Sequence, residues 1–338
     1  NGFIAPLLEN ETRKIPDLLN YVFTERIKCF SEEEKALGCP ANNLINEIGC
    51  NIHDFRIPLQ KLMSNWHKVL TRTIQKGNLF IPIKGKNYDG HNYIGEAFEK
   101  GAYASLVEFK KKQFLKNDKR FIYVKSTIDS LHKLAMFSRN RTKDLITICV
   151  TGSSGKTTLK EWIFKTLKET INTYRTIGNF NNEIGMPLSL ANMPRDTKIC
   201  VLELGMNSPG EIKRLSKIAK PNIGIITNIG TAHLVNFENT VNIAKEKSDI
   251  FCFFNEESIA IIPFETDHYN LISKKALKKT KKVYSFGENK SCDLRIIKPE
   301  ESVSKLMVID KEFNFKNNQS FINRDQNIVI ILGLLRIL

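Results

Sequence analysis

Residues Ile146 to Thr158 read Ile-Thr-Ile-Cys-Val-Thr-Gly-Ser-Ser-Gly-Lys-Thr-Thr, an apolar run that ends in Gly-x-x-Gly-Lys-Thr and enters a helical pattern. That order of residue types suits the holding of nucleotide phosphates. Backbone N–H groups of the turn and of the following helix N-terminus would point at phosphate oxygens, a lysine ammonium reaches the β/γ region, and a threonine hydroxyl can ligate Mg²⁺. Thr151, Gly152, Ser153, Ser154, Gly155, Lys156, Thr157 and Thr158 are therefore the candidate ATP-binding residues, with Lys156 as the catalytic cation and Thr157 as a metal ligand. The loop is shorter than the common G-x-x-x-x-G-K-[ST] pattern, because Val150 stands where that pattern has its first glycine. A plain strand-turn-helix corner with a surface lysine is the alternative, and the ordered succession of strand, glycines, Lys-Thr and helix argues against it.

Other clusters bear on the same chemistry. Glu203 closes the run Lys198-Ile-Cys-Val-Leu-Glu203, where a carboxylate at a strand tip can hold Mg²⁺ directly or through water, or can simply be a solvated acid. Thr227-Asn-Ile-Gly-Thr-Ala-His233 ends the next apolar run, and its lone histidine is by itself more often structural than a ligand. Gly178-Asn-Phe-Asn-Asn-Glu-Ile-Gly-Met-Pro187 sets Asn179, Asn181 and Asn182 between glycines, offering amides to a polar substrate or serving only a turn. Lys245 and Lys247 fall on a helical stretch, where a solvated face is the plain reading.

The elements that must position these residues alternate. Strands at 145–150, 198–203, 222–227 and 258–263 are separated by helices at 156–170, 210–219 and 240–253. Such alternation predicts right-handed βαβ crossovers and an α/β fold with a mainly parallel, doubly wound sheet, binding ligands at its C-terminal strand ends. Upstream, a strand in 77–84, a polar turn at 85–91, a helix at 94–101, strands at 104–107 and 120–124 and a helix at 127–139 predict a small α/β domain. Short β elements follow at 283–287, 293–297 and 305–309, whereas residues 1–55 carry no motif. The final run, 327–338, is apolar and requires a surface to cover it, which predicts a further domain downstream.

Bulk properties exclude several classes. A chain of 338 residues suggests two or three domains at roughly 150 residues each. With 41% hydrophobic residues and no apolar run near the roughly 18 residues that span a bilayer, no membrane span is expected. The seven cysteines are odd in number and form no C-x-x-C pair, which fits a reducing cytoplasm. A net charge of +15 raises the possibility of nucleic acid. The lysines are spread along the chain in short clusters, such as the pairs at 274–275, 278–279 and 281–282, so a compositional bias accounts for the charge and no nucleic-acid partner is expected.

Taken together, Thr151 to Thr158, Gly178 to Pro187, Glu203-Leu-Gly-Met-Asn207 with Gly210-Glu211, and Asn228 to Leu234 through Lys245-Glu-Lys247 closely resemble the Mur ligases over roughly residues 68 to 335. Within that family they are most similar to the branch that joins D-Ala-D-Ala to UDP-MurNAc-tripeptide. The resemblance implies an ATP- and Mg²⁺-dependent amide ligase of peptidoglycan precursor synthesis, working through an acyl phosphate, cytoplasmic and monomeric. It implies an unassigned segment 1–55, a UDP-sugar domain over 56–140, a central ATP-binding domain over 141–322, and 323–338 as the start of a hinge to a C-terminal domain that this chain lacks. Thr157 and Glu203 would serve one Mg²⁺ and His233 a second. Lys247, fourteen residues after His233, matches the lysine that is carbamylated in related ligases, with Lys245 as the neighbouring alternative. Asn179, Asn181 and Asn182 would sit near substrate and phosphates. Thr71, Arg72, Lys84, Asp89, Gly90 and His91 resemble the uridine-diphosphate pocket, although Leu70 stands where an acidic residue is usual. Asn327 in Arg324-Asp-Gln-Asn327 would approach adenine, without the glycine and histidine that usually precede it.

Three alternatives remain beside this reading: a ligase of the branch that adds the third amino acid or of the folylpolyglutamate-synthase type, a basic phosphate-loop module that binds nucleic acid, and a catalytically silent relative.

Overall fold

The computed structural model describes residues 74, 76–85, 89–114, 118–232, 234–297, 303–316 and 322–338. Thr71, Arg72, His233 and the segment 1–55 lie outside the described residues. The chain divides into two compact units, Asn1–Arg141 with Leu190–Arg195, and Thr142–Ser189 with Asp196–Leu338.

In the first unit, β1 (Asn78–Phe80), α1 (Ile94–Glu99), β2 (Ala102–Glu108), β3 (Phe121–Val124) and α2 (Thr127–Asn140) follow one another. The strands pair in parallel in the order β1-β2-β3. Every residue of β1 and β3 is buried, so these strands read as continuous apolar runs rather than alternating ones. Helix α2 starts where the Ser126 hydroxyl accepts from the Asp129 N–H at 3.2 Å. Its Leu131, Leu134, Ala135 and Ser138, at helical spacing, form the buried face.

The second unit contains β4 (Ile146–Thr151), α3 (Lys156–Leu167), β5 (Thr173–Arg175), α4 (Gly185–Ala191, whose last two residues belong to the first unit), β6 (Ile199–Glu203), α5 (Glu211–Ala219), β7 (Ile223–Ile226), α6 (Leu234–Phe237), α7 (Thr240–Lys247), β8 (Ile259–Pro263), α8 (Tyr269–Leu277), β9 (Lys282–Gly287), β10 (Leu294–Ile297), β11 (Val303–Val308), β12 (Lys311–Lys316) and α9 (Ile322–Ile337). Among the described residues nine strands form one sheet in the order β12-β11-β10-β9-β8-β7-β4-β6-β5. Pairing is parallel from β5 to β10, and antiparallel for β10 with β11 and β11 with β12. After β4 the chain builds β5 and β6 on one side and then resumes with β7 on the other, so the strand order reverses at β4. Ligands bind at such a reversal. The register pairs Val150 with Glu203 and Thr151 with Ile226, which aligns the C-terminal ends of β4, β6 and β7.

Leu159, Ile163 and Leu167, one stripe of α3, pack against Ile148, Val150, Ile199 and Val201 of the sheet. Each such buried side chain contributes about 1.5–3 kcal/mol. The apolar run at the end of the chain forms α9, and Val329, Ile330 and Leu334 join this same core. The sheet of its own unit thus covers one side of the run, while Leu335 and Leu338 stay exposed. Gly333 permits the close approach, since a Cβ there would lie 2.8 Å from the Leu294 methyls.

Several boundaries differ from the sequence reading. The helix expected to reach 253 ends at Lys247 and continues as a 3₁₀ turn over Ser248–Phe251, and α3 stops at Leu167 rather than 170. The strands β5 and β12 and the helices α4 and α8 were not anticipated. β5 has three residues, too few to show a period, and it is held by pairing with β6.

Candidate functional site

Strand β4 delivers the phosphate loop to the sheet end. Gly152 has φ of +149°, and a Cβ at this position would stand 1.9 Å from Thr227 Oγ1, so β7 leaves room only for hydrogen. Gly155, at φ of +77°, precedes α3 and leaves the first N–H groups of the helix at the loop mouth. The loop is braced from β7. Thr227 Oγ1 donates to the Ser154 carbonyl at 2.6 Å, and Asn228 Oδ1 accepts from the N–H groups of Ser153 and Ser154 at 3.0 and 2.9 Å. Asn228 Nδ2 donates to Ser154 Oγ at 2.6 Å, and the Gly230 N–H donates to Ser153 Oγ at 2.8 Å. Lys156 Nζ folds back to the Gly152 carbonyl at 2.8 Å. Burial pushes the Lys156 pKa down, with the charge of Glu203 opposing the shift.

Glu203 is 1% exposed, which rules out the solvated-acid reading. Its Oε2 accepts from Thr157 Oγ1 at 2.9 Å and its Oε1 from Asn181 Nδ2 at 2.7 Å. Lys160 Nζ lies 3.6 Å from Oε2. Of the three asparagines, Asn181 alone is hydrogen-bonded to this carboxylate. Asn182 Oδ1 instead accepts from the N–H groups of Ile184 and Gly185, at 3.1 and 2.7 Å, and so shapes the start of α4, while Asn179 is exposed. One buried carboxylate and one hydroxyl beside a helix N-terminus suit Mg²⁺, which keeps several waters and takes few protein ligands alongside phosphate oxygens. Among the described residues no cluster of three or more His, Cys, Asp or Glu could form an all-protein metal cage.

Lys247 is 2% exposed, so the solvated-face reading fails for it, whereas Lys245 is exposed. Burial, and then the charge of Lys156, bring the Lys247 pKa down to about 7 against the opposing charge of Glu246. Near neutrality such an amine is substantially unprotonated and nucleophilic. Glu246, also buried, accepts from the N–H groups of Gly210 and Ile212 at 2.7 and 2.9 Å and thereby caps α5. Sequence reasoning missed Thr227 and Asn228 as braces of the loop, and also Lys160 and Glu246. Thr227 and Asn228 meet partners far away in the chain, and for Lys160 and Glu246 the available signal was a charge at an apolar-face position of an amphipathic helix.

In the first unit, Lys84 and Asp89 form an antiparallel bridge, and Asp89, Gly90 and His91 share one turn. Asp89 Oδ1 accepts from the His91 N–H at 3.0 Å and from ring Nδ1 at 2.6 Å, while Lys111 lies 3.0 Å from Oδ2. Burial alone would raise the Asp89 pKa; the His91 and Lys111 bonds outweigh it and hold the carboxyl down at about 2. The Glu108 N–H donates to His91 Nε2 at 3.2 Å, which puts the ring proton on Nδ1. One nitrogen of His91 thus serves the turn and the other ties it to the end of β2. In the second unit, Asn327 is buried on α9, 6% exposed.

Residues 150–325 match the family model of the Mur ligase middle domain. The chain belongs to the Mur ligase family. It is 38% identical over 265 residues to the UDP-N-acetylmuramoyl-tripeptide–D-alanyl-D-alanine ligase of Rickettsia prowazekii, covering 78% of this chain and 54% of that protein. It is 39% identical over 191 residues to the enzyme of the same name from Bacillus subtilis, covering 56% and 41%. Among solved Mur ligase structures, MurF from Acinetobacter baumannii aligns with a TM-score of 0.75 at 26% identity, over 87% of this chain and 64% of that one. MurF from Thermotoga maritima in complex with ADP aligns at 0.69 and 32% identity, over 79% and 61%. The chain spans about half the length of the curated relatives it matches.

Proposed function

We propose that this chain carries the nucleotide and UDP-sugar portions of an ATP-dependent ligase that joins D-Ala-D-Ala to UDP-MurNAc-tripeptide. The observation that carries the reading is the buried Glu203 carboxylate hydrogen-bonded to Thr157 at the mouth of the phosphate loop. A carboxylate at neutral pH is a poor electrophile. Transfer of the ATP γ-phosphoryl to the terminal carboxylate of the tripeptide gives an acyl phosphate and releases ADP; the dipeptide amine then attacks the carbonyl carbon, and the amide forms as phosphate leaves and the amine loses a proton. Lys156 and the N–H groups at the start of α3 bind and orient the phosphates, and their positive charge matches the charge on the transferred group. Thr157 and Glu203 would hold Mg²⁺, which supplies further charge neutralisation when bound.

Lys247 in carbamylated form, with His233, would hold a second Mg²⁺, and the buried, easily deprotonated amine supports that reading. Asn181 would act through Glu203, Asn179 and Asn182 would sit near the substrate and phosphates, and Asn327 would approach adenine. Thr71, Arg72, Lys84, Asp89, Gly90 and His91 would bind the uridine diphosphate, with a UDP-sugar domain assigned to 56–140, the central domain to 141–322 and the start of the hinge to 323–338. The enzyme acts in the cytoplasm as a monomer and without nucleic acid. No helix among the described residues is long and apolar enough to cross a membrane.

The test is phosphate release from ATP with Mg²⁺ and bicarbonate, in the presence of UDP-MurNAc-tripeptide and D-Ala-D-Ala and with each omitted in turn. Release that requires both substrates is expected, from this chain or from this chain supplemented with a ligase C-terminal domain. Failure of both preparations would count against the reading, as would equal turnover with meso-diaminopimelate as acceptor.

A further inference from the structure

Lys160 is fully buried, with 0% exposure, one helical turn beyond Lys156 and Thr157 on α3. A buried ammonium is costly unless it is paired and hydrogen-bonded, so its neighbours define what it does. Nζ donates to the Gly178 carbonyl at 2.5 Å and lies 3.3 Å from Glu161 Oε1 and 3.6 Å from Glu203 Oε2. These partners come from the start of the asparagine loop, from α3 itself and from the end of β6.

The asparagine loop is tied to the same carboxylate at a second point. Asn181 Nδ2 donates to Glu203 Oε1 at 2.7 Å, and the Asn181 carbonyl accepts from the Gly205 N–H at 2.7 Å. The Thr157 hydroxyl meets Glu203 Oε2, the oxygen that faces Lys160. Leu159, Ile163 and Leu167 show that apolar side chains fill this face of α3 well. Packing by itself therefore gives no reason for a lysine at position 160.

We propose that Lys160 is a positioning residue for the metal–nucleotide site: it holds the Gly178 carbonyl and faces Glu203 from the protein interior, so that the asparagine loop and the carboxylate stay aligned with Thr157. The inference rests on the ligase reading above, because it takes Glu203 and Thr157 to be the Mg²⁺ ligands. It separates Lys160, which never meets the nucleotide, from Lys156, which does.

The test compares wild type, Lys160→Met and Lys160→Arg as full chains, measuring ADP affinity with saturating Mg²⁺ and with EDTA, and the thermal midpoint. Lys160→Met is expected to weaken ADP binding about tenfold or more in Mg²⁺, roughly 1.4 kcal/mol, and less than about twofold in EDTA. It should also raise the Mg²⁺ concentration needed for half-maximal binding, and Lys160→Arg should recover most of the loss. If Lys160→Met does not fold, Lys160→Gln keeps a donor for Gly178 without the charge and serves the same comparison. Equal losses with and without Mg²⁺, or a lowered midpoint with unchanged affinity, would overturn the positioning role and leave the ligase reading standing. Absence of Mg²⁺-dependent ADP binding by the wild type would overturn both.

Discussion

Replacing Lys247 by methionine should change how stability depends on pH. Lys247 is buried, and its pKa falls from the ordinary 10.5 to about 7, first through burial and second through the charge of Lys156. At about 1.4 kcal/mol per pH unit, that displacement corresponds to a destabilisation of about 5 kcal/mol when the folded chain must carry the proton. Below pH 7 both folded and unfolded chains are protonated at this site, so the full cost is present. Between pH 7 and 10.5 the unfolded chain holds the proton and the folded chain does not, so wild-type stability rises with pH; above 10.5 the cost has vanished. Lys247→Met lacks the titration. The stability of the variant minus that of wild type should therefore shrink by about 2.5 kcal/mol from pH 7.5 to 9.5, while contributions from groups not coupled to Lys247 cancel. Urea unfolding of both proteins at closely spaced pH values, in bicarbonate-free buffer, measures this difference. A difference that stays flat across the interval, or widens, would refute the reasoning. Adding Lys156→Met should move the onset to higher pH, because it removes the second cause of the depression.

Two further substitutions probe the scaffold of the site. Gly152→Ala forces a Cβ to within 1.9 Å of Thr227 Oγ1 at φ of +149°, and should cost about 1–3 kcal/mol and abolish measurable ADP binding. Adding Thr227→Ala should return part of the stability, and an unchanged unfolding midpoint for the single variant would contradict the packing argument. Glu246→Ala strips the acceptor from the N–H groups of Gly210 and Ile212. A loss of about 3 kcal/mol and faster hydrogen exchange at the Ile212 amide are expected, whereas protection equal to wild type would show that another group caps α5.

The parts of the site legible in the sequence are those encoded by contiguous residues. The run Thr151 to Thr158 announces its strand, turn and helix together, because each phosphate-binding group lies within one turn of the next. Alternating apolar runs and helical periods likewise predicted a mainly parallel sheet, and the strand pairing agrees. Glu203 could be picked out as the acid at a strand tip, but its burial and its bond to Thr157 depend on β6 lying beside β4. Helical period sets Lys247, four residues after Ile243, on a different side of the helix from Lys245, but only packing shows that this side is buried and that a charge is buried with it.

The residue types and their order thus determined the phosphate-loop chemistry, the α/β class and the family resemblance, because local backbone geometry and hydrophobic period are properties of short segments. The tertiary structure alone decided that Asn228 braces the loop, that Lys160 backs Glu203, that Glu246 caps a helix beginning at Glu211, and that Val329, Ile330 and Leu334 of the terminal run join the core of their own sheet. Those contacts join groups from separate segments, and what brings them together is the strand order around β4, which the spacing of residues along the chain does not specify.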